Sequence, residues 1–544
     1  MRSARAMRLV AASAVLVAAF CMVRVATAPG DADWPYWRGP SADGVAPGDA
    51  PVRWSATENV RWKTEIPGLG HSSPVVWGDF VFVTTAIKTG AAPASQASTA
   101  TSAIPATQAA RPSAMPQGPP VTPPTASAAA PGALPTHPPS AMPQGAAGLP
   151  PAASPAAAPT GGVPQGSGGL SPAAPGMPQG PPSPAAGSQG PSGGRGSGGP
   201  RERGGGGPQV EHTFDVLCLD RKTGKVLWQR TAKTAVPHEG GHNTYGSFAS
   251  NSPVTDGKYV YAFFGSRGMY AYDFKGTLVW QKDFGVQMRM KMAFGEGMAP
   301  VLAGNKLILV FDHEGDSFMS VLDKNTGKEV WRVDRDERTN WAAPLVVDWQ
   351  GRRQVVVAAT KKVRSYDLET GRLIWECAGL GANTIPQPVR QDDLVFVMSG
   401  YQNPRLMAIR LGREGDLTGT DAIVWTQTRG NSYTPSPVLS DNKLYVLTDN
   451  GMISCYNAKT GEPYYHQTRL PKTYSFKSSP VAAGGKLYLA SENEDVIVLK
   501  MGETFEVLAT NTMTDQVFVA TPAVASGDLF LRSKTTLFCI RPGA

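Results

Sequence analysis

The 544-residue sequence predicts an all-β fold: an eight-bladed β-propeller of four-stranded antiparallel blades, with the ring closed by an N-terminal strand. Three observations predict it. A strand that begins with proline recurs along the chain, a segment built from Asp, Thr-Gly and Trp recurs with it, and the last repeat lacks one strand that the N-terminal region supplies. Repeats of roughly 40 to 50 residues with four short strands are typical of propeller blades. Seven blades are the alternative, because two repeats carry degenerate turns.

The first strand of each predicted blade is short and apolar, as in SSPVV from Ser72 and SSPV from Ser478. Proline is tolerated as the first residue of a strand. From Pro253 onward the prolines are 42 to 49 residues apart, which sets the repeat length. The eight prolines are Pro74, Pro253, Pro300, Pro344, Pro388, Pro437, Pro480 and Pro522.

A second repeated segment predicts the hairpin between the third and fourth strands. LDRKTGKVLW (Leu219–Trp228) returns as LDKNTGKEVW (Leu322–Trp331) and as YDLETGRLIW (Tyr366–Trp375). The Asp and Thr side chains hydrogen-bond turn amides, and the Gly takes the positive φ that the turn needs. The Trp that follows is predicted to pack between neighbouring blades, where it buries a large area. These tryptophans are Trp228, Trp280, Trp331, Trp375 and Trp425.

The ring is predicted to close through the segment NVRWKTEI (Asn59–Ile66). The eighth repeat has only three strands before the sequence ends, and this N-terminal segment resembles the fourth strands of other repeats. Pairing it with the C-terminal strand leaves no free edge between the two ends of the propeller.

Residues 1–28 are predicted to be a secretory signal peptide, with an uncleaved N-terminal anchor as the alternative. A basic start precedes the apolar run 9–23, and an A-x-A cleavage site follows at residues 26–28. The expected location is therefore periplasmic or elsewhere in the cell envelope, with membrane attachment only through the N-terminus.

The remaining sequence divides into four predicted segments. Residues 29–58 form an N-terminal extension, and residues 59–88 hold the first strands of the propeller. Residues 89–209 consist almost entirely of Pro, Ala, Gly, Ser, Thr and Gln, so they are predicted to be a disordered insert within the first blade. Residues 210–544 hold the rest of the propeller.

The charge distribution argues against nucleic-acid binding, and the cysteine spacing argues against a C-x-x-C site or covalent haem attachment. Most of the formal charge of +8 comes from arginines in the first 30 residues and in the insert, so the predicted folded part is nearly neutral and offers no footprint for nucleic acid. Four cysteines follow the predicted signal, with no C-x-x-C and no haem-attachment motif among them. We predict that these four, Cys218, Cys377, Cys455 and Cys539, are buried or partly buried free thiols.

The tandem D-x-x-T-G-x-x-x-W units resemble the pyrroloquinoline quinone (PQQ)-type β-propeller repeat, over residues 59–88 and 210–544. The opening DWPYWRGPSADGV (Asp33–Val45) is similar to the start of exported bacterial proteins with such repeats. The resemblance implies one of three branches: quinoprotein dehydrogenases of alcohols or sugars, the non-enzymatic lipoprotein of the outer-membrane β-barrel assembly machinery, or exported members without an assigned activity.

The resemblance favours the scaffold branch over the dehydrogenase branch. The dehydrogenases use an adjacent Cys-Cys ring, a calcium ion, a catalytic Asp and a stacking Trp. This sequence has no adjacent cysteines, and no catalytic Asp is matched by motif. No cofactor is therefore assigned, and PQQ with calcium is the alternative, for which Trp341 could stack on a planar ligand.

In an up-and-down blade, the connections between second and third strands and between successive blades share one face. The Thr-Gly turns lie on the opposite face. Loops are where binding residues concentrate, so the loop-rich face is the predicted site. The predicted ligand-binding residues are His71, His238, Glu239, His242, Asn251, Arg267, Glu296, Trp341 and Asn383.

Two candidate metal sites are predicted on the same face. His238 to His242 reads H-E-x-x-H, but the zinc-protease use of that motif needs a helix, and two glycines fill its middle here. A looser site would combine His238, His242 and Asp312. A weaker cation site, with a solvated acidic loop as the alternative, is offered by Asp312, His313, Glu314 and Asp316.

The sequence therefore predicts an exported, monomeric binding scaffold rather than an enzyme. Its loop-rich face would meet a protein, peptide or carbohydrate. The alternative is a periplasmic quinoprotein-type oxidoreductase that acts on alcohols or sugars.

Overall fold

The computed structural model describes residues 33–90, 209–242 and 244–543 of the chain. These residues form eight four-stranded antiparallel blades of a β-propeller, and one of the eight sheets is extended by a short fifth strand. The eight-blade prediction is confirmed, and the seven-blade alternative is wrong. The predicted signal peptide and almost all of the predicted insert lie outside the described residues.

In each blade the strands are named A to D from the inside of the ring outward. The strands of blades 1 to 4, in the order A to D, are Val75–Trp77, Phe80–Lys88, His212–Asp220 and Val226–Ala235; Val254–Thr255, Tyr259–Phe263, Met269–Asp273 and Leu278–Lys282; Val301–Ala303, Lys306–Phe311, Ser317–Asp323 and Glu329–Arg335; and Leu345–Trp349, Arg352–Val357, Lys362–Asp367 and Leu373–Ala378.

Blades 5 to 8 follow the same plan, and the D strand of blade 8 comes from the N-terminal region. Their strands are Val389–Gln391, Leu394–Ser399, Arg405–Arg410 and Ile423–Gln427; Val438–Ser440, Lys443–Leu447, Met452–Asn457 and Pro463–Arg469; Val481–Ala483, Lys486–Ala490, Asp495–Lys500 and Val507–Thr512; and Ala523–Ala525, Asp528–Arg532, Thr536–Ile540 and Val60–Glu65.

Helix is almost absent from the described residues. There are two single turns of 3-10 helix, Gly265–Arg267 and Lys291–Ala293. In the part of the chain that the structure describes, no helix is both long and apolar enough to span a bilayer.

The ring is closed by the N-terminal segment, as the sequence predicts. Strand Val60–Glu65 pairs antiparallel with strand Thr536–Ile540, with Lys63 opposite Phe538 and Glu65 opposite Thr536. The first and last parts of the propeller thus share one sheet, and the backbone groups that would otherwise form an open edge are paired.

The Thr-Gly turns are built as the sequence predicts. In blade 1, the Asp220 carboxylate accepts hydrogen bonds from the amide of Lys222 and from the amide and hydroxyl of Thr223 at 2.8 to 3.0 Å. The Thr223 hydroxyl bond, more than the backbone bonds, holds the pKa of Asp220 below its ordinary value. Gly224 takes a φ of 73°.

Each of these turns also receives a tryptophan from the preceding blade. Trp228 of blade 1 lies over Gly276 of blade 2, where an added Cβ would come within 2.9 Å of the indole ring. Its indole N–H donates to the Phe274 carbonyl, one residue after the turn aspartate, at 2.9 Å. The same indole-to-carbonyl bond joins Trp62 to Arg221, Trp280 to Lys324, Trp331 to Leu368 and Trp425 to Ala458.

Trp375 packs between blades 4 and 5 without this bond. Its side chain is buried in a cluster that includes Val395 and Ile409 of blade 5, and its indole nitrogen has no hydrogen-bond partner among the residues that the structure describes. The longer connection in blade 5 adds a fifth strand, Gly415–Asp416, which runs parallel to the D strand of blade 4 with Gly415 opposite Trp375. The extra strand replaces the tight turn that blades 1, 2, 3, 4 and 6 present to the indole.

The four cysteines confirm the prediction of free thiols. Cys218, Cys377, Cys455 and Cys539 are buried and unpaired. They lie on blades 1, 4, 6 and 8, and burial raises the pKa of each thiol.

Trp228→Ala is expected to lower the free energy of unfolding by about 3 to 5 kcal/mol, because a buried indole and its interblade bond are lost. Trp228→Phe keeps a ring over Gly276 and should cost about 1 kcal/mol for the missing bond. Urea unfolding followed by circular dichroism measures both. The adjacent, exposed Leu227 provides the control: Leu227→Ala should change stability by no more than about 0.5 kcal/mol. Equal effects at the two positions would contradict interblade docking.

Candidate functional site

The D–A and B–C connections form one face of the propeller, here called the upper face, and the A–B and C–D turns form the lower face. A cavity of about 310 Å³ opens at the centre of the upper face. All eight blades contribute to this cavity, which we call the funnel. Among the residues that line it are Trp37, His71, Ser73, His242, Tyr245, Ser252, Phe294, Glu296, Trp341, Ile385, Tyr433, Ser436, Lys477, Ser479 and Thr521.

A ring of hydrogen bonds runs around the funnel through the residues that precede the A-strand prolines. In five blades, the backbone N–H of this residue donates to the hydroxyl of its counterpart in the next blade. Thr521 donates to Ser73 at 3.0 Å, and Ser73 donates to Ser252 at 2.8 Å. The remaining links join Gln387 to Ser436, Ser436 to Ser479, and Ser479 to Thr521.

The ring is interrupted at blades 3 and 4, where the corresponding residues are Ala299 and Ala343. Both alanines belong to the apolar cluster that includes Tyr36, with Trp37 packed against it. Two blades thus present methyl groups to an aromatic pair, and five present hydroxyl groups that line the funnel.

The floor of the funnel is made by the N-terminal extension. Trp34 pairs with Val76 of blade 1, the Thr255 amide of blade 2 donates to the Pro35 carbonyl, and Ala46 pairs with Ala482 of blade 7. The extension therefore crosses the inside of the ring. Trp37 is the residue of this segment that lines the funnel.

Arg38 anchors the extension and is fully buried. Its guanidinium donates to the Pro480 carbonyl at 2.8 Å, to the Asp43 carbonyl at 2.9 Å, and to the Pro437 carbonyl. Burial lowers the pKa of Arg38 to about 10. The contacts join the extension to the A strands of blades 6 and 7, so the N-terminal segment is part of the folded ring.

His71 lines the funnel and is 8% exposed. Neither of its ring nitrogens has a hydrogen-bond partner among the described residues. Burial lowers the pKa of His71 to about 3, with further lowering from the positive charges of Arg532 and Lys534. The imidazole is therefore neutral over the physiological pH range.

Glu296 is the carboxylate in the funnel wall, and its charge is compensated. The Arg267 guanidinium and the Ser266 hydroxyl each donate to its Oε1 atom at 2.8 Å. The Ser266 amide donates to Oε2. His238 Nε2 lies 3.9 Å from Oε1 of Glu296 and 2.7 Å from the Met288 carbonyl.

The H-E-x-x-H segment lies in a non-helical loop. The Glu239 carboxylate accepts from the Met290 amide at 3.1 Å, and burial together with the nearby Glu296 raises the pKa of Glu239 to about 7. His242 Nδ1 accepts from the Thr244 and Tyr245 amides at 3.2 and 3.3 Å. The segment lacks the helical turn that would place the two histidines on one side of a zinc ion.

The nine residues predicted to bind a ligand divide into two groups. His71, His242, Glu296 and Trp341 line the funnel. The other five support its walls: Asn251 donates to the Met298 carbonyl at 2.7 Å, and Asn383, with a φ of 56°, donates to the Tyr433 hydroxyl at 3.4 Å. The loop that carries Glu296 is held by contacts from Arg267, His238 and Glu239. Ligand binding by these residues stays a prediction.

The loop predicted to hold a cation has protein partners instead. Asp312 is fully buried in a bidentate ion pair with Arg335, at 2.8 and 2.9 Å, and also accepts from Asn340. His313 Nδ1 accepts from the Arg289 and Gly315 amides at 3.2 and 3.1 Å, and its Nε2 contacts the Asp316 carbonyl. The Glu314 carboxylate accepts from the Thr339 hydroxyl at 2.8 Å.

Among the described residues, no group of three or more His, Cys, Asp or Glu side chains is placed to hold a metal ion. This includes the predicted combination of His238, His242 and Asp312. The residues of the predicted cation site instead fasten one loop of the upper face to the next.

Reasoning from the sequence missed the hydroxyl ring, the floor of the funnel and Lys477. The signal for the ring was present in the strand motifs SSPV, NSPV, PSPV and ATPAV, whose residues before proline are Ser or Thr in five of the eight repeats. The signal for the floor of the funnel was the segment YWR (Tyr36–Arg38), which places two aromatic residues and one basic residue together in the N-terminal extension.

One protein-family model matches the chain at residues 212–421 and 413–508, and its description is outer membrane protein assembly factor BamB. The matched residues make up more than half of the chain. The chain belongs to this family.

Curated members of the BamB family are distant in sequence. The BamB of Yersinia pestis is 24% identical over 215 residues, which cover 35% of this chain and 51% of that protein. The BamB of Moranella endobia is 25% identical over 206 residues, or 34% of this chain and 50% of that protein. The chain thus spans about half the length of the curated relatives it matches.

The crystal structure of BamB from Moraxella catarrhalis aligns with a TM-score of 0.44 and 13% identity, covering 61% of this chain and 92% of that one.

His71 is expected to make stability pH-dependent. An unfolded histidine binds a proton below about pH 6.5, whereas folded His71 does so only near pH 3. Stability should therefore fall as the pH decreases from 6.5, with a contribution of about 1.4 kcal/mol per pH unit. Unfolding free energies between pH 4 and 8 should show that His71→Gln removes this slope, whereas His466→Gln, at an exposed position, keeps it. Parallel profiles for wild type and His71→Gln would contradict a buried neutral imidazole.

Proposed function

We propose that this chain is a protein-binding scaffold of the cell envelope that meets its partner through the upper face. The observation that carries the proposal is membership of the BamB family over the blades themselves, residues 212–508. The relatives are named as factors of outer membrane protein assembly. The partner proposed here is accordingly a protein that takes part in that assembly, and the predicted signal at residues 1–28 would deliver the chain to it.

The construction of the upper-face loops supports this proposal. The buried pairs Arg335–Asp312 and Arg267–Glu296 hold upper-face loops of blades 2 and 3 in fixed positions, and the Asn340 amide, in the connection from blade 3 to blade 4, donates to Asp312. Exposed side chains stand on the same loops: Met292 is 63% exposed, and the Arg338 side chain is 73% exposed. Loops that are ordered before binding lose little conformational entropy when a partner docks.

The lower face has a different role in this proposal. Its C–D turns receive the tryptophans of neighbouring blades, as in Trp228 over Gly276. The Asp and Thr side chains of these turns stabilise the turns, and the tryptophans stabilise the contacts between blades. The lower face therefore supplies a control surface for any test of docking.

The alternative of a PQQ-dependent oxidoreductase is not supported by the side chains of the funnel. PQQ is a tricarboxylate that works with a calcium ion. Its site therefore needs Lys or Arg side chains that are not already paired with carboxylates, and a group of oxygen ligands for the calcium ion. Lys477 is paired with Asp449 at 3.3 Å, and Glu296 adds a carboxylate to the wall. With no metal-holding group among the described residues, the donor set does not fit this cofactor.

Site-specific photocrosslinking in the native host tests the docking face. A photoreactive amino acid at Met292 or Arg338 is expected to capture a component of the outer membrane protein assembly apparatus, identified by mass spectrometry. The same amino acid at Lys222, whose side chain is 65% exposed in a lower-face turn, is the control. Capture of the same protein from Lys222 alone, or of no envelope protein from either upper-face position, would overturn the proposal.

A further inference from the structure

The hydroxyl ring of the funnel offers a set of oriented hydrogen-bond donors. Each hydroxyl oxygen accepts an N–H from the preceding blade, at 2.8 Å in Ser252 and 3.0 Å in Thr521. In the described part of the chain, none of these five hydroxyl groups donates to a protein acceptor. A hydroxyl group carries one donor and two lone pairs, so each hydrogen remains available to a ligand. The five residues are Ser73, Ser252, Ser436, Ser479 and Thr521, and all of them line the funnel.

His71 adds a donor and an acceptor at the same cavity. Its neutral ring has one N–H and one free nitrogen, and both nitrogens are buried without a partner among the described residues. A buried polar atom without a hydrogen bond costs free energy, so a group that both donates and accepts would be stabilised there. A hydroxyl group meets both requirements.

The charged side chains of the funnel wall are already neutralised. Glu296 is paired with Arg267 at 2.8 Å. Lys477 is paired with Asp449 at 3.3 Å, and its ammonium also lies 4.8 Å from the centre of the Tyr245 ring. A charged ligand would have to displace one of these partners, whereas an uncharged ligand would not.

Aromatic rings supply the apolar part of the funnel. Trp341 is fixed by its indole N–H, which donates to the Gly295 carbonyl at 2.8 Å. Trp37 at the floor, and Tyr245 and Tyr433 in the walls, add further ring surface. Flat rings beside hydroxyl and imidazole groups suit a ligand that has one apolar face and an edge of polar groups.

We propose that the funnel binds an uncharged saccharide, with the sugar ring against Trp341 and its hydroxyl groups bonded to the hydroxyl ring and to His71. The cavity volume of about 310 Å³ lies at the lower end of the range for small-molecule sites, which fits one or two sugar rings. Sugar hydroxyl groups both donate and accept, and the C–H face of the ring is apolar. The inference rests on the funnel alone and does not depend on the protein partner proposed above.

Isothermal titration calorimetry with the full exported chain tests this inference. The neutral probes are D-glucose, D-mannose, N-acetyl-D-glucosamine, maltose and chitobiose, and the charged probes are sodium phosphate and sodium citrate at matched ionic strength. Saturable one-to-one binding of at least one saccharide is expected, without binding of either anion. An absence of saturable binding by all five saccharides would overturn the inference, and so would binding of the anions in their place.

Two funnel variants and one control locate the binding. Trp341→Ala should weaken saccharide binding tenfold or more, and Thr521→Val, which keeps the shape of the side chain but removes a hydroxyl group, should weaken it several-fold. Trp349→Ala, at the lower-face end of a blade 4 strand, should leave affinity unchanged. Thermal unfolding checks that each variant folds. If Trp341→Ala does not fold, Thr521→Val decides the matter, and unchanged affinity in that variant would refute the proposed site.

The test also separates this inference from the docking proposal. Thr521→Val is expected to leave photocrosslinking at Met292 unchanged, because the hydroxyl lies inside the funnel and Met292 is exposed on a loop. Saccharide binding without crosslinking would support the funnel site and count against the docking face; the reverse result would do the opposite.

Discussion

The structure depends on one contact that recurs at five of the eight blade junctions in the described residues: the tryptophan of one blade lies on the turn glycine of the next blade and donates its indole N–H to a neighbouring carbonyl. Trp228, Gly276 and the Phe274 carbonyl form one copy. A side chain at the glycine would collide with the indole, and the φ of 81° at Gly276 is unfavourable for other residues. Where it occurs, the contact therefore requires Trp and Gly at fixed positions in successive repeats. Because the tryptophan contacts occupy C–D turns, those turns of the lower face serve to hold the blades together. The loops of the upper face take no part in this contact and can vary in sequence.

Closing the ring creates the candidate site. Strand Val60–Glu65 completes blade 8, and the residues before it cross the inside of the ring, where Arg38 bonds to carbonyls of blades 6 and 7. The floor made by Trp37 turns the axial space into a funnel that opens on the side of the D–A connections. One residue per blade, the one before the A-strand proline, faces this funnel in most blades. The repeat that builds the scaffold thus also places a hydroxyl group beside the cavity in five of the eight blades.

Most of the fold could be predicted from the sequence, because blade strands and turns depend on contacts that recur in most repeats. The strand prolines, the Asp-Thr-Gly turns and the closing strand all lie where the repeat places them. The extension at residues 33–54 could not be predicted in this way, since its partners are single sites such as Pro480, 442 residues from Arg38. The acidic loop at Asp312 resembled a cation site because its partner, Arg335, is 23 residues away on the D strand of the same blade. For Trp375, the prediction of interblade packing was confirmed, but the insertion in blade 5 that supplies Gly415–Asp416 removed the expected turn. Sequence repeats therefore predict the scaffold, whereas the site depends on residues that occur once.

The central claim is that the N-terminal strand is an integral part of a closed ring. Hydrogen–deuterium exchange on the full chain tests this most directly, by comparing the amides of Val60–Glu65 with those of their partner strand, Thr536–Ile540, and of an interior strand such as Lys306–Phe311. A closed ring predicts that the hydrogen-bonded amides of all three strands are protected to a similar extent and become exposed together as denaturant is added. Rapid exchange in residues 60–65 while the other two strands stay protected would show that the ring opens at this seam, and would contradict the account.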